Sequence, residues 1–400
     1  MPPTAFRSFR KPLVSAIQLN KPPCFDNDEL SVFETMVGRF IDRHATPRDV
    51  ERWRANGSVE RELWYQAGEA GLLGVSIPQE YGGGGGDFRH EAVLMEQLGL
   101  RGVQGFALPL HNAVVAPYLV SYGTEEQKHR WLPKVVSGET VLAVAMSEPG
   151  AGSDLQGMKT TARLDGDHYV INGQKTFITN GLHASLVIVA CKTNREEGAK
   201  GISLIAVETD KLAGFERGRL LHKLGQEGRD TTELFFQEMR VPAENLLGCV
   251  EGRGFPQLME KLPQERLVIA WQCMALMENA LGLTLDYVKQ RKAFGKRIID
   301  FQNSQFKLAE CKTQATIAKV FLHHCTERLL EGTLDTATAS MAKYWISEAG
   351  CQLVDECLQL HGGYGYMLEY PIAQLYKDVR VNRIFGGTNE IMKMLIARSL

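Results

Sequence analysis

Residues 144–154 read Val-Ala-Met-Ser-Glu-Pro-Gly-Ala-Gly-Ser-Asp and mark the point where the character of the chain changes. The segment ends a predicted strand in small residues, whose backbone can approach a ligand closely. Its glycine spacing does not match the G-x-G-x-x-G pattern of dinucleotide-binding loops. Taken alone, the segment is equally consistent with an ordinary Pro-Gly turn, so the surrounding sequence has to decide its role.

The sequence on the two sides of this segment has different periodicities. In residues 27–140 apolar side chains recur at helical spacing, as in Leu30, Phe33, Val37 and Ile41. In residues 141–249 the period becomes two, with short apolar runs at 186–190, 202–207 and 233–236 and turn dipeptides at Asp165-Gly166 and Asn172-Gly173. The sequence therefore predicts a helical domain followed by a β domain.

Residues 250–400 return to the helical period. The long stretches 266–289, 302–330 and 336–360 are typical of antiparallel bundle helices joined by short turns. Pro263 either starts a helix or kinks a longer one. With residues 1–26 interpreted as a flexible tail, the chain is predicted to be mainly α with a central β domain.

Composition excludes several classes of protein. The 400 residues include 45 Lys and Arg against 47 Asp and Glu, a net charge of −2, with no basic stripe for nucleic acid. No apolar run approaches the roughly 20 residues of a membrane span. The eight cysteines show no C-x-x-C spacing, so we expect no metal site of that type. The first 25 residues are basic and free of acids; we interpret them as a tail of a cytoplasmic protein, with a mitochondrial targeting segment as the alternative.

A second motif makes a family resemblance clear. Residues 147–154 resemble the T-E-P-G-A-G-S-D signature of acyl-CoA dehydrogenases, with Ser147 in place of the threonine. Residues 177–181, Phe-Ile-Thr-Asn-Gly, are similar to the family's W-I-T-N-G strand, with Phe177 in place of the tryptophan. Further segments match the family in the same order: residues 291–296 with Gln302, residues 359–365 and residues 387–390.

The resemblance implies a fold, a cofactor and partners. The fold would have an N-terminal helical domain, a middle β-barrel or sandwich and a C-terminal four-helix bundle. The cofactor would be FAD, held partly by a neighbouring subunit of a homotetramer, with an electron-transfer flavoprotein as the electron acceptor. The resemblance places the following residues at the cofactor: Met146, Ser147, Gly152, Ser153, Phe177, Ile178, Thr179, Arg291, Phe294, Gln302, Gln359, Leu360, His361, Gly362, Gly363, Thr388, Asn389 and Glu390.

The catalytic base is the point where the sequence departs from the common family pattern. Removal of the α-proton of an acyl thioester requires a carboxylate, and the loop that usually reads aromatic-Glu-Gly-Thr here reads Phe-Gly-Gly-Thr, with Gly386 at the glutamate position. The resemblance implies that the backbone N–H of Gly386 still binds the thioester oxygen, where negative charge develops. The segment 263–266, Pro-Gln-Glu-Arg, resembles most closely the long-chain branch of the family, in which the base lies on a helix of the C-terminal domain. Glu265 is therefore the predicted base, the alternative being a structural acid near a helix start.

These motifs predict an acyl-CoA dehydrogenase that converts a medium- to long-chain acyl-CoA into the trans-2-enoyl-CoA. Ser153, Arg266, Gly386 and Gly387 are the residues expected at the substrate. Two alternatives remain: a flavin oxidase or monooxygenase of the same fold, and a non-catalytic acyl-CoA- or flavin-binding subunit in which Glu265 is structural.

Overall fold

The computed structural model describes residues 16–400, so most of the basic N-terminal segment lies outside the described part. Residues 16–26 were predicted to belong to a flexible tail. In the structure Ile17 and Phe25 are 3% and 5% exposed and lie in the main helical core. This part of the predicted tail packs on the protein because its apolar side chains are buried between helices.

The first part of the described chain is helical. Its helices are α1 (Asp28–His44), α2 (Pro47–Asn56), α3 (Arg61–Glu69), α4 (Phe88–Leu100), α5 (Ala116–Tyr122) and α6 (Glu125–Ser137). Helix α6 shows why these segments start and stop where they do. The Thr124 hydroxyl accepts the Gln127 N–H at 3.2 Å in a capping box, and Gly138 ends the helix with φ +79°. One π-helical turn, Leu110–Val115, leads directly into α5.

The middle part is a single curled sheet of seven strands. The strands are β1 (Leu142–Ala145), β2 (Thr161–Asp165), β3 (His168–Thr179), β4 (Leu186–Lys192), β5 (Ile202–Glu208), β6 (Phe215–Leu220) and β7 (Thr231–Pro242). Their order is β1-β4-β2-β3-β7-β6, and β5 pairs with β4. The pairs β1–β4 and β2–β4 are parallel and the others antiparallel. The predicted strand runs are found in β4, β5 and β7.

One turn predicted from the sequence is wrong. Asp165-Gly166 does join β2 to β3 in a hairpin, with Gly166 at φ +64°. Asn172 and Gly173, however, lie inside β3, where the pairing with β7 shifts register. A Cβ on Gly173 would lie 2.4 Å from the Thr160 hydroxyl oxygen. The glycine therefore serves a bulge and a close approach between chain segments, and not a turn.

The last part is again helical. It contains α7 (Gly254–Gln290), a small hairpin of β8 (Lys292–Ala293) and β9 (Lys296–Arg297), α8 (Gln302–Leu330), α9 (Thr336–Leu360), α10 (Pro371–Val379) and α11 (Asn389–Ala397). Helices α8 and α9 have the predicted bounds. Helix α7 begins earlier than predicted and contains Pro263 in its interior, so the proline does not start the helix. The predicted order of helical, β and helical parts is confirmed.

Helix α7 is the central element of the helical core. It packs against α4, α8 and α9, and nearly all of its residues from Glu265 to Leu281 are buried. By length and composition it is the one helix of residues 16–400 that could cross a membrane, but 89% of its apolar window is buried inside the protein. A core helix of a soluble protein has the same properties.

Candidate active site

Glu265 lies on the buried face of α7 and is 7% exposed. The Tyr118 hydroxyl of α5 donates a hydrogen bond of 2.6 Å to its Oε1 atom. Burial raises the pKa of Glu265 to about 7, while the hydrogen bond from Tyr118 and the charge of Arg266 lower it. The result is a buried carboxylate that can exchange a proton near neutral pH, which is the property required of a general base.

The Gly386–Gly387 loop packs against the same part of α7. A Cβ on Gly386 would lie 2.2 Å from Cδ1 of Ile269, which is one helical turn beyond Glu265 and therefore on the same face of the helix. Gly386 and Gly387 have φ angles of +63° and +91°, a region that favours glycine. The structure thus brings the predicted base and the predicted oxyanion loop to the same stretch of α7.

A buried lysine holds this loop in place. Lys343 of α9 donates hydrogen bonds from Nζ to the Gly387 carbonyl at 2.7 Å and to Asn389 Oδ1 at 3.0 Å. Ser347 donates to the same Asn389 oxygen at 3.1 Å, and Asn389 donates to Glu348 at 3.0 Å. Burial lowers the pKa of Lys343 to about 8. The sequence analysis missed Lys343, although a single lysine in the apolar 336–360 stretch is a signal that could have singled it out.

The residues beside Asn389 have different environments. Thr388 is the N-cap of α11, and its hydroxyl accepts the Ile391 N–H at 3.4 Å. Glu390 is exposed in the first turn of the same helix. Asn389 is 2% exposed and fully engaged by its neighbours.

Arg266 lies next to Glu265 in the sequence, but its side chain is directed towards α9. It is 3% exposed, and its Nη1 donates to the Ser340 hydroxyl at 3.3 Å. Its Nε has no hydrogen-bond partner among the described residues. Burial lowers the pKa of Arg266, and the Glu265 carboxylate opposes that shift. The guanidinium therefore retains an unused donor close to the base.

The loop of residues 146–153 is held by a buried ion pair that the sequence analysis missed. Lys175 of β3 lies 2.9 Å from Glu148 and donates to the Met146 carbonyl at 2.9 Å. Glu148 also accepts the N–H groups of Lys159 at 2.6 Å and Thr160 at 2.9 Å. This network attaches the first residues of the loop to the sheet.

The outer part of the same loop is open. Met146 and Ser147 are half-buried, while Gly152 and Ser153 are exposed. A Cβ on Gly150 or Gly152 would meet no atom within 4 Å. The outer residues of the loop therefore offer backbone groups that a ligand can reach, while the inner residues are fixed to the sheet.

Phe177 stands out on β3. It is 70% exposed and has φ +61°, at a register shift between Lys175 and Ile178. Ile178 is buried and Thr179 is half-buried. A positive φ is rare for an aromatic residue, and such strain is found preferentially at functional sites. The bulge presents an aromatic ring near the end of β3, next to Thr176, whose N–H donates to the Ser147 carbonyl of the 146–153 loop at 3.0 Å.

A cavity of about 430 Å³ lies at the end of α9 and is lined in part by Arg291, Leu360, His361, Gly362 and Gly363. His361 is 5% exposed and stacks on the Tyr287 ring, with centroids 4.2 Å apart. Burial lowers the pKa of His361 to about 4, so the ring is neutral at pH 7. Its Nδ1 has no hydrogen-bond partner among the described residues.

Three further predicted residues surround this region. Phe294 is 95% exposed at the tip of the β8–β9 hairpin, Gln302 is exposed at the start of α8, and Gln359 is exposed near the end of α9. The predicted site residues thus form three groups on different elements of the chain: Glu265 with the 386–390 segment, the 146–153 loop with Phe177, and the cavity at the end of α9.

Comparison with known proteins gives matches over nearly the whole chain. Three family models match in order: the acyl-CoA dehydrogenase N-terminal domain over residues 27–139, the middle domain over 143–239 and the C-terminal domain over 252–400. The long-chain specific acyl-CoA dehydrogenase, mitochondrial, of Mus musculus is 47% identical over 376 residues, which cover 94% of this chain and 87% of that protein.

Solved structures give the same result. The crystal structure of acyl-CoA dehydrogenase from Geobacillus kaustophilus superposes with a TM-score of 0.91 at 48% identity, covering 93% of this chain and 98% of that chain. A chain from the structure of the electron transferring flavoprotein of Acidaminococcus fermentans has a TM-score of 0.89 at 34% identity, with coverages of 93% and 98%. The chain belongs to the acyl-CoA dehydrogenase family, the flavin-dependent oxidoreductases that act on CH–CH bonds.

Proposed function

We propose that this protein is an FAD-dependent acyl-CoA dehydrogenase that uses Glu265 to form a trans-2-enoyl-CoA from a medium- to long-chain acyl-CoA. The observation that carries the proposal is the buried Glu265 carboxylate, one helical turn from the residue that the Gly386 loop contacts. No carboxylate is present in the loop itself, since Gly386 and Gly387 have no side chains.

Glu265 would take the α-proton of the thioester. The α-C–H bond breaks, an O–H bond forms on the carboxylate, and the electron pair of the broken bond is delocalised towards the thioester oxygen. A base is most effective when its pKa lies near the working pH, and a pKa of about 7 meets this condition. The Gly386 N–H would donate to the thioester oxygen as negative charge develops there.

The chain's own features fit the cofactor that the family uses. His361 carries a buried ring nitrogen without a partner, Gly362 and Gly363 leave open space where side chains would stand, and the Arg291 guanidinium lies at the cavity wall. Uncharged donors and one exposed arginine are suited to the pyrophosphate and adenine portion of FAD.

The sheet carries the residues proposed for the other end of the cofactor. Phe177 offers an exposed ring, and Thr179 offers a hydroxyl two residues further on. The 146–153 loop offers backbone groups beside the same strand, where the Ser147 carbonyl accepts the Thr176 N–H at 3.0 Å. These residues would hold the isoalloxazine ring. When bound, FAD supplies the acceptor for the hydride that leaves the β-carbon.

The substrate class is inferred from relatives and from the position of the base. The mouse relative is named as long-chain specific, and this supports a medium- to long-chain acyl group here. Ser153 would contact the CoA portion with its exposed hydroxyl. Arg266 is proposed at the substrate from the family resemblance, and its buried side chain would have to turn away from Ser340 to reach it.

The proposed assembly is a homotetramer. Helix α8 exposes an apolar stripe in which Phe306, Ile317 and Val320 are 57%, 51% and 50% exposed, and Phe294 is almost fully exposed on the nearby hairpin. Such surfaces are typical of subunit interfaces. We propose that a second copy packs against them and, as the family resemblance implies, contributes to holding FAD.

An electron-transfer flavoprotein is the proposed acceptor. The similarity to a chain in the Acidaminococcus fermentans structure supports this partner. Cytoplasmic location was our first expectation, but the curated relatives named as mitochondrial favour the matrix alternative.

The decisive experiment is an anaerobic titration of the purified flavoprotein with octanoyl-CoA and palmitoyl-CoA, with flavin absorbance and enoyl-CoA formation as readouts. We expect bleaching and product with both. Tight acyl-CoA binding without bleaching would overturn the proposal in favour of a binding subunit. Rapid reoxidation of the bleached flavin in air would instead support an oxidase.

Replacing Lys343 should damage catalysis through the loop that it anchors. We expect Lys343→Met to lower kcat by about 10- to 100-fold, because the Gly387 carbonyl loses its tether and the Gly386 N–H moves away from the thioester oxygen. The measurement is steady-state turnover with FAD content checked by absorbance. Lys393→Met, which changes an exposed lysine of α11, should leave kcat unchanged; equal losses in both variants would contradict the proposed tether.

Removing the Arg291 side chain should weaken cofactor retention. A charge-assisted hydrogen bond contributes about 1.5–3 kcal/mol, so Arg291→Ala is expected to raise the Kd for FAD by roughly 10- to 100-fold. The measurement is FAD rebinding to the apoprotein by fluorescence. Arg297→Ala, on the hairpin that directly follows Arg291, removes an arginine that is already paired with Asp300 and should have little effect. Unchanged FAD affinity in Arg291→Ala would show that the guanidinium does not contact the cofactor.

A further inference from the structure

Within residues 16–400, Tyr118 of α5 makes the one side-chain hydrogen bond that acts on Glu265. Its hydroxyl lies 2.6 Å from Glu265 Oε1, and Tyr118 itself is completely buried. Burial next to this carboxylate raises the pKa of Tyr118 well above 10. The phenol therefore stays protonated and acts as a donor at every pH at which the enzyme works.

Short contacts on both sides of Tyr118 fix α5 against α7. Gln264, the residue before Glu265, donates to the Ala113 carbonyl in the π-helical turn at 2.8 Å. Tyr122 donates to the Gln257 carbonyl at 3.3 Å, two turns earlier on α7. A π-helical turn inside a helix is uncommon and often occurs at functional sites. Here it leads into the helix that presents Tyr118 to the base.

We propose that Tyr118 is a positioning residue for the α-proton abstraction: its phenol holds Oε1 of Glu265 and leaves Oε2 to receive the proton. This inference rests on the proposed role of Glu265 as the base. A carboxylate offers two oxygens, and only one can be directed at the α-carbon. When Oε2 gains the proton, Oε1 still accepts from the phenol, so the hydrogen bond persists through the transfer and the side chain need not rotate.

The charges around Glu265 are few, so the effect of Tyr118 can be measured. Among the described residues, Tyr118 from α5 and Arg266 from α7 are the titratable groups that act on Glu265. Tyr122 acts on Tyr118, and Arg266 acts in turn on Lys343 from α9. A donor to a carboxylate stabilises the charged form and lowers its pKa. Loss of the phenol should therefore raise the pKa of Glu265.

The test is the pH profile of kcat/KM, which reports the essential base of the free enzyme. In the parent enzyme we expect activity to rise with pH through the pKa of Glu265, about 7. In Tyr118→Phe the acid limb should move upwards by about one pH unit. Proton transfer should also limit turnover more, so the kinetic isotope effect with α-deuterated acyl-CoA should increase. Tyr122→Phe is the matched control and should keep the acid limb of the parent.

An acid limb of Tyr118→Phe that coincides with that of the parent would overturn the inference, as would equal shifts in both tyrosine variants. Tyr118→Gln is made in parallel, because an amide N–H is a weaker donor to the carboxylate than a phenol. If the phenylalanine variant does not fold, the glutamine variant decides: a raised acid limb supports the inference and an unchanged one overturns it.

Measuring Glu265→Gln alongside distinguishes a failure of Glu265 as the base from a failure of Tyr118 as its positioning residue. If that variant retains turnover, the proposed base is wrong whatever the tyrosine variants do. If it is inactive while Tyr118→Phe keeps the parent pH profile, the base stands and the role of Tyr118 alone fails.

Discussion

Glu265→Gln is expected to lower the rate of flavin reduction by acyl-CoA by about 10²- to 10⁴-fold, the usual contribution of a general base. The amide is close in shape to the carboxylate and can still accept from Tyr118, so folding and FAD content should be preserved. The measurement is anaerobic stopped-flow reduction with palmitoyl-CoA, after confirming that the variant still binds the substrate.

The matched control is Glu260→Gln, which changes an exposed glutamate of the same helix. It should reduce its flavin at the parent rate. Normal reduction in Glu265→Gln would remove Glu265 from the mechanism. Loss of FAD together with activity would instead indicate a structural role, which is the alternative that the sequence left open for this residue.

Lys175→Met is expected to lower the free energy of unfolding by about 3–5 kcal/mol, the cost of leaving one member of a buried ion pair without its partner. The side chains of Lys175 and Glu148 are 0% and 6% exposed, and the lysine also supports the Met146 carbonyl. Denaturant unfolding with FAD removed measures the change directly, because bound FAD would add its own stabilisation.

Two variants make this prediction specific. Lys175→Met combined with Glu148→Gln should recover part of the lost stability, since no unpaired charge remains buried. Lys159 contacts Glu148 through its backbone N–H alone, and its side chain is exposed. Lys159→Met should therefore change the free energy of unfolding little. A loss of under about 1 kcal/mol in Lys175→Met would mean that the pair contributes no more than a surface ion pair.

The long helices could be predicted from the sequence because local signals bound them. Helix α9 starts after Asp335, whose carboxylate caps the Thr338 N–H at 2.8 Å. Helix α7 was cut short in the prediction because Pro263 is a strong stop signal locally. In the structure, packing of α7 against α4, α8 and α9 outweighs the missing backbone hydrogen bond. The Asn172-Gly173 pair led to a wrong turn prediction because β-bulges and tight turns favour the same residue types.

Only some of the residues that form and support the candidate site could be identified from the sequence. Glu265 was found through its motif. Tyr118, Lys343 and Lys175 were not, because their partners lie 147, 44 and 27 residues away along the chain. No local pattern records such contacts; they exist only once the helices and the sheet have packed.

The contact between Gly386 and Ile269 limits how this enzyme could acquire a base in the loop. Introducing glutamate at 386 alone would force Ile269 to move and would strain a left-handed backbone position by about 1–2 kcal/mol. It would also place a second acid near Glu265, and two neighbouring carboxylates disfavour each other's ionisation. Substitutions at 265, 269 and 386 should therefore be strongly epistatic. We expect the catalytic base to be moved to residue 386 only when all three residues are changed together, and each single change to lower activity.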